Sequence, residues 1–302
     1  MIPKKVKIVE VGPRDGLQNE SQFISTQVKI DFINKLFESG LEDVELTSLV
    51  KAENIPQLKD AELVFKSISD NKNINLNKCP VLVPNTKGME RALHLGVKRV
   101  ALFTATSEKF NQKNINSSIE ESMERLEAVA KICQREKVTI RGYVSTVFGC
   151  PYEGKKTSGN LESIIKRLID MGADEISLGD TIGVATPYHV EEVLSSVLKY
   201  CPQEKIAMHF HDTYSRALAN VYASLKFGIS IFDSSAGGMG GCPYAKGASG
   251  NLATEDLVSL LNEMGIAHGV DLNRVIESSA GIFTELGRKS MSKVNQVYRN
   301  AI

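Results

Sequence analysis

The chain has 302 residues, 42% hydrophobic and 24% charged, which are the proportions of an ordinary soluble globular protein. Thirty-six basic residues balance thirty-six acidic ones, so no net field favours nucleic acid or an anionic membrane as partner. No apolar run reaches the length of a membrane span, and the first strand pattern begins by Val6, so neither a membrane helix nor a signal or transit peptide is expected. Cys79, Cys133, Cys150, Cys201 and Cys242 are far apart and form no CxxC pair, which argues against structural zinc. An odd count without a secretory signal points to reduced thiols, hence to a cytoplasmic setting.

Short β-branched runs alternate with longer amphipathic stretches along the chain. Val6–Val11 is followed by Gln27–Glu38, Asp43–Leu46 by Gln57–Ser69, Pro80–Val83 by Lys87–Leu95, and Arg99–Phe103 by Ile119–Glu136. Thr139–Val144 precedes Leu161–Met171, Glu175–Leu178 precedes Pro187–Tyr200, Ile206–Phe210 precedes Tyr214–Phe227, and Ser230–Asp233 precedes Leu252–Met264. Eight such β-then-α units predict an α/β fold of the closed (β/α)8 TIM-barrel type. Glycines at 40, 96, 172 and 228 end helices directly before strands, as left-handed caps do. One domain over residues 1–302 is expected, with the barrel over about 6–264 and a C-terminal helical extension over about 271–302. In that extension Asp271–Leu286 reads as an added helix and the remainder as a polar tail.

On this scaffold the unusual polar residues all fall at C-terminal strand ends, the face where barrels of this kind place their chemistry. The first loop reads Val11-Gly12-Pro13-Arg14-Asp15-Gly16-Leu17-Gln18-Asn19. Arg14 and Asp15 would point to opposite faces of a continuing strand, so both reach one site only if the backbone turns, which Gly12, Pro13 and Gly16 permit. On strand two, Val44 and Leu46 face the helices and put Asp43 and Glu45 inside the barrel, where a carboxylate needs a cation. Arg14 is the candidate partner for Glu45, and Arg141 for Asp43. Asp180 follows strand six. His209 and His211 end strand seven on one face, two imidazoles suited to half a metal site or to a hydrogen-bonded core pair.

The glycine-rich run 237–241 leads into Cys242-Pro243-Tyr244 and reads as a flap presenting a cysteine. Cys150 has the same Cys-Pro-Tyr setting, and sequence form alone does not rank the two. Asn251 reads either as the N-cap of the last barrel helix or as an oxygen ligand completing a set with Asp15, His209 and His211. Two nitrogens and two oxygens with open positions suit Mg²⁺ or Mn²⁺ better than tetrahedral zinc.

Over nearly its whole length the chain resembles the 3-hydroxy-3-methylglutaryl-CoA lyases, within the barrel group that includes isopropylmalate and homocitrate synthases. The likeness runs through GPRDGLQNE at 12–20, VELTS at 44–48, VPN at 83–85 and KNINSSIEES at 113–122. It continues through RGYVSTVFGCPYEG at 141–154, EISLGDTIGVATP at 175–187, HFHDTYSRALAN at 209–220 and GGCPYAKGASGNLATEDLV at 240–258. GCPYEG and GGCPYA are the segments most specific to the lyases. The chain departs at Lys51-Ala52-Glu53-Asn54-Ile55-Pro56, where the family usually carries a serine-proline-lysine-tryptophan version.

The resemblance implies Asp15, His209, His211 and Asn251 as ligands of a divalent Mg²⁺ or Mn²⁺. It implies Arg14 as the substrate-binding arginine, Cys242 as the active-site cysteine and Asn114 as a coenzyme A contact. Glu45, Asp180, Glu255 and Asp256 match supporting acidic positions. The implied reaction cleaves 3-hydroxy-3-methylglutaryl-CoA to acetyl-CoA and acetoacetate, with Arg14 stabilising the enolate and Cys242 as its acid. The base is left open between Asp180 and a water on the ion. An acyl-CoA is thus the expected partner of a cytoplasmic homodimer. The competing readings are a 2-oxo-acid synthase of the same barrel group and a noncatalytic barrel that binds metal or acyl-CoA.

Overall fold

The computed structural model describes residues 1–154, 159–240 and 250–300. In chain order the first half runs β1 (Lys7–Glu10), α1 (Thr26–Glu38), β2 (Asp43–Val44), β3 (Thr47–Ser48), α2 (Ala61–Ser69), β4 (Pro80–Leu82) and α3 (Thr86–Leu95). Then come β5 (Arg99–Ala105), α4 (Glu108–Ile115), α5 (Ile119–Glu136), β6 (Thr139–Ser145) and α6 (Leu161–Asp170). Next are β7 (Ala173–Asp180), α7 (Pro187–Val197), β8 (Ile206–Phe210), α8 (Ala217–Lys226), β9 (Ile231–Ser234) and α9 (Thr254–Glu263). Three further helices follow: α10 (Leu272–Ser278), α11 (Ala280–Leu286) and α12 (Lys293–Asn300).

All strand pairs are parallel, in the order β2-β1-β9-β8-β7-β6-β5-β4-β3. The two ends of this sheet are consecutive pieces of one stretch of chain. The Glu45 amide donates to Glu10 O on β1 at 2.9 Å, and the Leu46 amide to Pro80 O on β4 at 3.0 Å. Strand two therefore changes partner at its middle and closes an eight-membered ring, the expected barrel. Val44 and Leu46 join the large outer core beneath the helices, as the alternation requires.

Inside the barrel Val9, Val11, Ala207 and Ile231 form a small apolar cluster. Charged and hydroxylic side chains fill much of the remaining interior. Asp43 lies 3.7 Å from Lys7 Nζ and 4.0 Å from Arg99 Nη1. Arg141 does not answer Asp43 as the sequence suggested; it reaches Glu175 and Asp233 instead. Its inward position was legible, but its partner depends on strands β7 and β9, far away in sequence.

The C-terminal extension differs from expectation in two ways. The single added helix is two, α10 and α11, and the polar tail contains a helix, α12. Asp256 on α9 holds that helix: its carboxylate accepts from Ser292 Oγ at 2.7 Å and from the Val294 amide at 3.0 Å. Ser292 is the N-cap, its Oγ accepting the Asn295 amide at 3.0 Å, and Asp256 adds a second acceptor from a position distant in sequence.

Candidate metal and substrate site

The loop after β1 supplies the first side chains. Residues Gly12–Gly16 form a single π-helical turn, with the amides of Asp15 and Gly16 both donating to Val11 O. Such turns break the strand register, so the adjacent Arg14 and Asp15 side chains can reach each other. Arg14 Nη1 donates to Asp15 Oδ1 at 2.8 Å, and Nη2 lies 2.8 Å from Glu45 Oε2. Burial alone would lower the Arg14 pKa, but the carboxylates of Glu45 and Asp15 outweigh it and keep the guanidinium charged. Gln18 adds a 2.9 Å hydrogen bond to Asp15 Oδ1. Tyr143 on β6 donates to Glu45 Oε2 at 2.9 Å, and its ring lies 5.3 Å from the Arg14 guanidinium and 4.6 Å from that of Arg141.

At the end of β8, His209 and His211 share a face, with ring centroids 5.3 Å apart, while Phe210 turns outward against Phe148. One ligand atom from each of Asp15, His209 and His211 lies within 4.8 Å of the others. Asn251 completes the group from the far end of the chain, bridged to His211 through the backbone. Its Nδ2 donates to Asp15 Oδ2 at 2.8 Å and to Met239 O at 3.0 Å, which leaves Oδ1 buried without a partner. His211 Nδ1 is likewise buried and unpartnered. The N-cap reading of Asn251 is corrected: α9 begins at Thr254 with Ala253 as its N-cap.

The titration behaviour suits cation binding. Burial and the neighbouring His209 push the His211 pKa down to about 4, so this imidazole is neutral with a free lone pair at pH 7. Burial would raise the Asp15 pKa, but Arg14, His209 and His211 hold it below the usual carboxylate value. His209 Nδ1 lies 3.1 Å from Asp233 Oδ2, and Nε2 lies 4.0 Å from Asp15 Oδ2. A carboxylate, two imidazoles and an amide oxygen with no other partner fit a hard or borderline divalent ion.

These residues open into a cavity of about 700 Å³, whose wall includes Arg14, Gln18, Asn54, Tyr143 and Asn114. Asn114 lies on α4, beside Lys113 and Phe110. Lys51, Asn54 and Ile55, from the segment that departs from the resembled pattern, line the cavity too.

Other expected residues lie around the group rather than in it. Asp180 is fully buried, and its two oxygens accept the amides of Val184 at 2.9 Å and Ala185 at 3.0 Å; burial raises its pKa to about 7. Glu255 accepts the Gly237 amide at 2.7 Å and Asn295 Nδ2 at 3.2 Å. Asp256 holds α12, as described above. Cys242 lies outside the described residues. Cys150 packs with Ala105 and Phe110, its Sγ 2.9 Å from Ser107 Oγ. Sequence reading missed Asp233, Tyr143 and Gln18; of these, only Asp233 gave a signal, as a carboxylate following two apolar residues on a strand.

A family model described as HMGL-like matches residues 5–282. The chain belongs to this family. It is 51% identical over 295 residues to the mitochondrial hydroxymethylglutaryl-CoA lyase of Homo sapiens, which covers 98% of this chain and 90% of that protein. Among solved structures, the hydroxymethylglutaryl-CoA lyase of Pseudomonas aeruginosa superposes with a TM-score of 0.95 at 44% identity, covering 100% of this chain and 99% of that one. An HMG-CoA lyase from A. baumannii, solved with coenzyme A and 3-methylmalate, matches with a TM-score of 0.91 at 36% identity, over 98% and 96% of the two chains. The HMGL-like barrel thus agrees with what the sequence resembles.

Proposed function

We propose that this chain is a divalent-metal-dependent carbon–carbon lyase that cleaves 3-hydroxy-3-methylglutaryl-CoA to acetyl-CoA and acetoacetate. The observation that carries the reading is Arg14, a charged guanidinium held between Asp15 and Glu45 beside a two-nitrogen, two-oxygen donor set. Binding alone would not require a buried cation next to the ligand carboxylate. The relatives' names and the coenzyme A complex of the A. baumannii structure support the substrate class.

Asp15, His209, His211 and Asn251 Oδ1 would hold Mg²⁺ or Mn²⁺. The ion supplies Lewis-acid polarisation of the substrate's tertiary hydroxyl and carboxylate. Arg14 would stabilise the negative charge that grows on the thioester oxygen as the carbon–carbon bond breaks. Glu45 and Tyr143 fix the guanidinium fork by hydrogen bond and stacking. The tertiary hydroxyl loses its proton, the bond electrons pass to the thioester enolate, and acetoacetate departs. The Cys242 thiol then delivers a proton to the enolate carbon. Asp180 is set back from the cavity wall with both oxygens on backbone amides, so we assign it to hold the turn after β7; the hydroxide form of a water, which the cation would supply, would take the proton. Asn114 and Lys113 would meet the coenzyme A portion.

Residues 1–302 are read as one domain. Among the described residues no helix is long and apolar enough to cross a membrane, and the four described cysteines are free and buried. We place the protein as a homodimer in a reducing, cytoplasm-like compartment. Acetoacetate release from the CoA ester, with and without added Mg²⁺ or Mn²⁺, tests the proposal. Metal-dependent release is expected; turnover only in the presence of a 2-oxo acid would favour the synthase reading, and metal binding without any turnover the noncatalytic one.

A further inference from the structure

Asp233 is the centre of a contact that crosses the barrel interior. It sits on β9, beside His209 in the β8–β9 register, whereas Arg141 comes from β6, two strands further round. Arg141 Nη2 donates to Asp233 Oδ1 at 2.5 Å, and Nη1 lies 3.3 Å from Oδ2. Ser177 Oγ on β7 donates to the same Oδ2 at 2.8 Å, the oxygen that faces His209 Nδ1. Arg141 Nε is spent on Glu175 Oε1 at 2.5 Å, and Glu175 is in turn bonded to Lys7 at the opposite end of the barrel. Arg141 is completely buried and Asp233 almost so.

We propose that Arg141 and Ser177 are positioning residues that lock Asp233, and through it the orientation and tautomer of the His209 imidazole at the metal site. This inference rests on the reading of His209 as a metal ligand. A carboxylate held only by the imidazole is free to rotate about its last torsion. With one oxygen on the guanidinium and the other on the guanidinium and a hydroxyl, Asp233 presents a fixed acceptor to Nδ1. The imidazole hydrogen then resides on Nδ1, and the Nε2 lone pair faces Asp15 and the cation. Partners of metal-ligating imidazoles typically contribute 10–100-fold to metal affinity. Here the first partner is itself held by the interior ion pairs, so the effect reaches Arg141, which lies one residue further from the metal.

The test uses the whole chain with Mn²⁺ as probe. Free Mn²⁺ is measured by its paramagnetic resonance signal, and ring ¹⁵N spectra are recorded on protein labelled at its five histidines. In the wild type, at a pH alkaline enough for the His209 ring to be neutral, it should show the Nδ1–H form before metal is added. Arg141→Lys keeps the charge but loses the fork. It should weaken Mn²⁺ binding about tenfold, mix the His209 tautomers, and recover most of its kcat at saturating Mn²⁺. Ser177→Ala, a milder change that decides the matter should Arg141→Lys not fold, should shift both readouts in the same direction. Folded variants with wild-type Mn²⁺ affinity and an unaltered His209 spectrum would overturn the proposal. His209→Asn separates the two readings: weakened Mn²⁺ binding there with no effect in the other variants defeats only the positioning role, whereas normal binding there defeats the ligand assignment beneath it.

Discussion

Arg14 and Asp15 are adjacent in sequence, yet they do different things, and substitutions should separate them. Arg14→Gln removes the donor for the growing charge and should lower kcat by about 10²–10³ while leaving Mn²⁺ affinity nearly intact. Paired acetoacetate and Mn²⁺ titration assays check this; lost metal affinity would move Arg14 to a structural role. The two Cys-Pro-Tyr cysteines should also part company. Cys150 fills an apolar pocket against Ser107 and Phe110, so Cys150→Ser is expected to lower Tm with kcat largely kept. Cys242→Ser should lower kcat in reducing buffer with little change in Tm. At this scale the first ring of the site was legible, because a histidine pair at a strand end and an Arg-Asp turn between glycines are unusual in themselves. Asp233 and Tyr143 were not, because an inward strand residue gains its role only from partners on other strands.

The eight repeating units, and the ends of β8 and α5, followed directly from apolar periodicity and capping. In α5 Ser118 and Glu121 form a reciprocal capping box just where the helical pattern starts. What periodicity could not show was α12, a short polar helix whose first turn is capped by Ser292 and, from α9, by Asp256. Asp256→Ala should therefore destabilise α12 by about 1 kcal/mol, the usual cost of a lost cap. Faster amide exchange over residues 293–298 would report it. The start of the glycine-rich run is similarly constrained. Gly240 has φ +100°, and a Cβ there would stand 2.5 Å from Asn251 Nδ2 and 3.2 Å from Asp15 O. Only glycine lets the backbone pass so close to two proposed ligands, so Gly240→Ala should weaken Mn²⁺ binding even though neither of them is changed.

Across the whole barrel, buried carboxyls make stability depend on pH. Burial raises Glu10, Asp180 and Glu255 each to about 7. The folded state then holds protons that the unfolded chain releases near its ordinary carboxyl value, so their stabilisation is present below that value and is lost as pH rises through about 7. His211, lowered to about 4, acts oppositely and costs stability as pH falls from about 6.5. Above pH 6.5 His211 no longer contributes, while His209, raised by the Asp233 and Asp15 carboxylates against its burial, loses stabilisation in the same direction as the carboxyls. The Tm of the metal-free protein should fall between pH 6.5 and 8, and Glu10→Gln with Glu255→Gln should flatten the profile. A wild-type Tm that rises across the same window would contradict these assignments.

The proposed chemistry depends on where a cation binds. A crystal soaked in Mn²⁺, with an anomalous difference map collected near the manganese edge, measures that directly. The expected map has one strong peak in contact with Asp15, both imidazoles and Asn251 Oδ1, with the Arg14 guanidinium at its side. A peak elsewhere, or Asn251 swung out of contact while the ion is bound, would contradict the account.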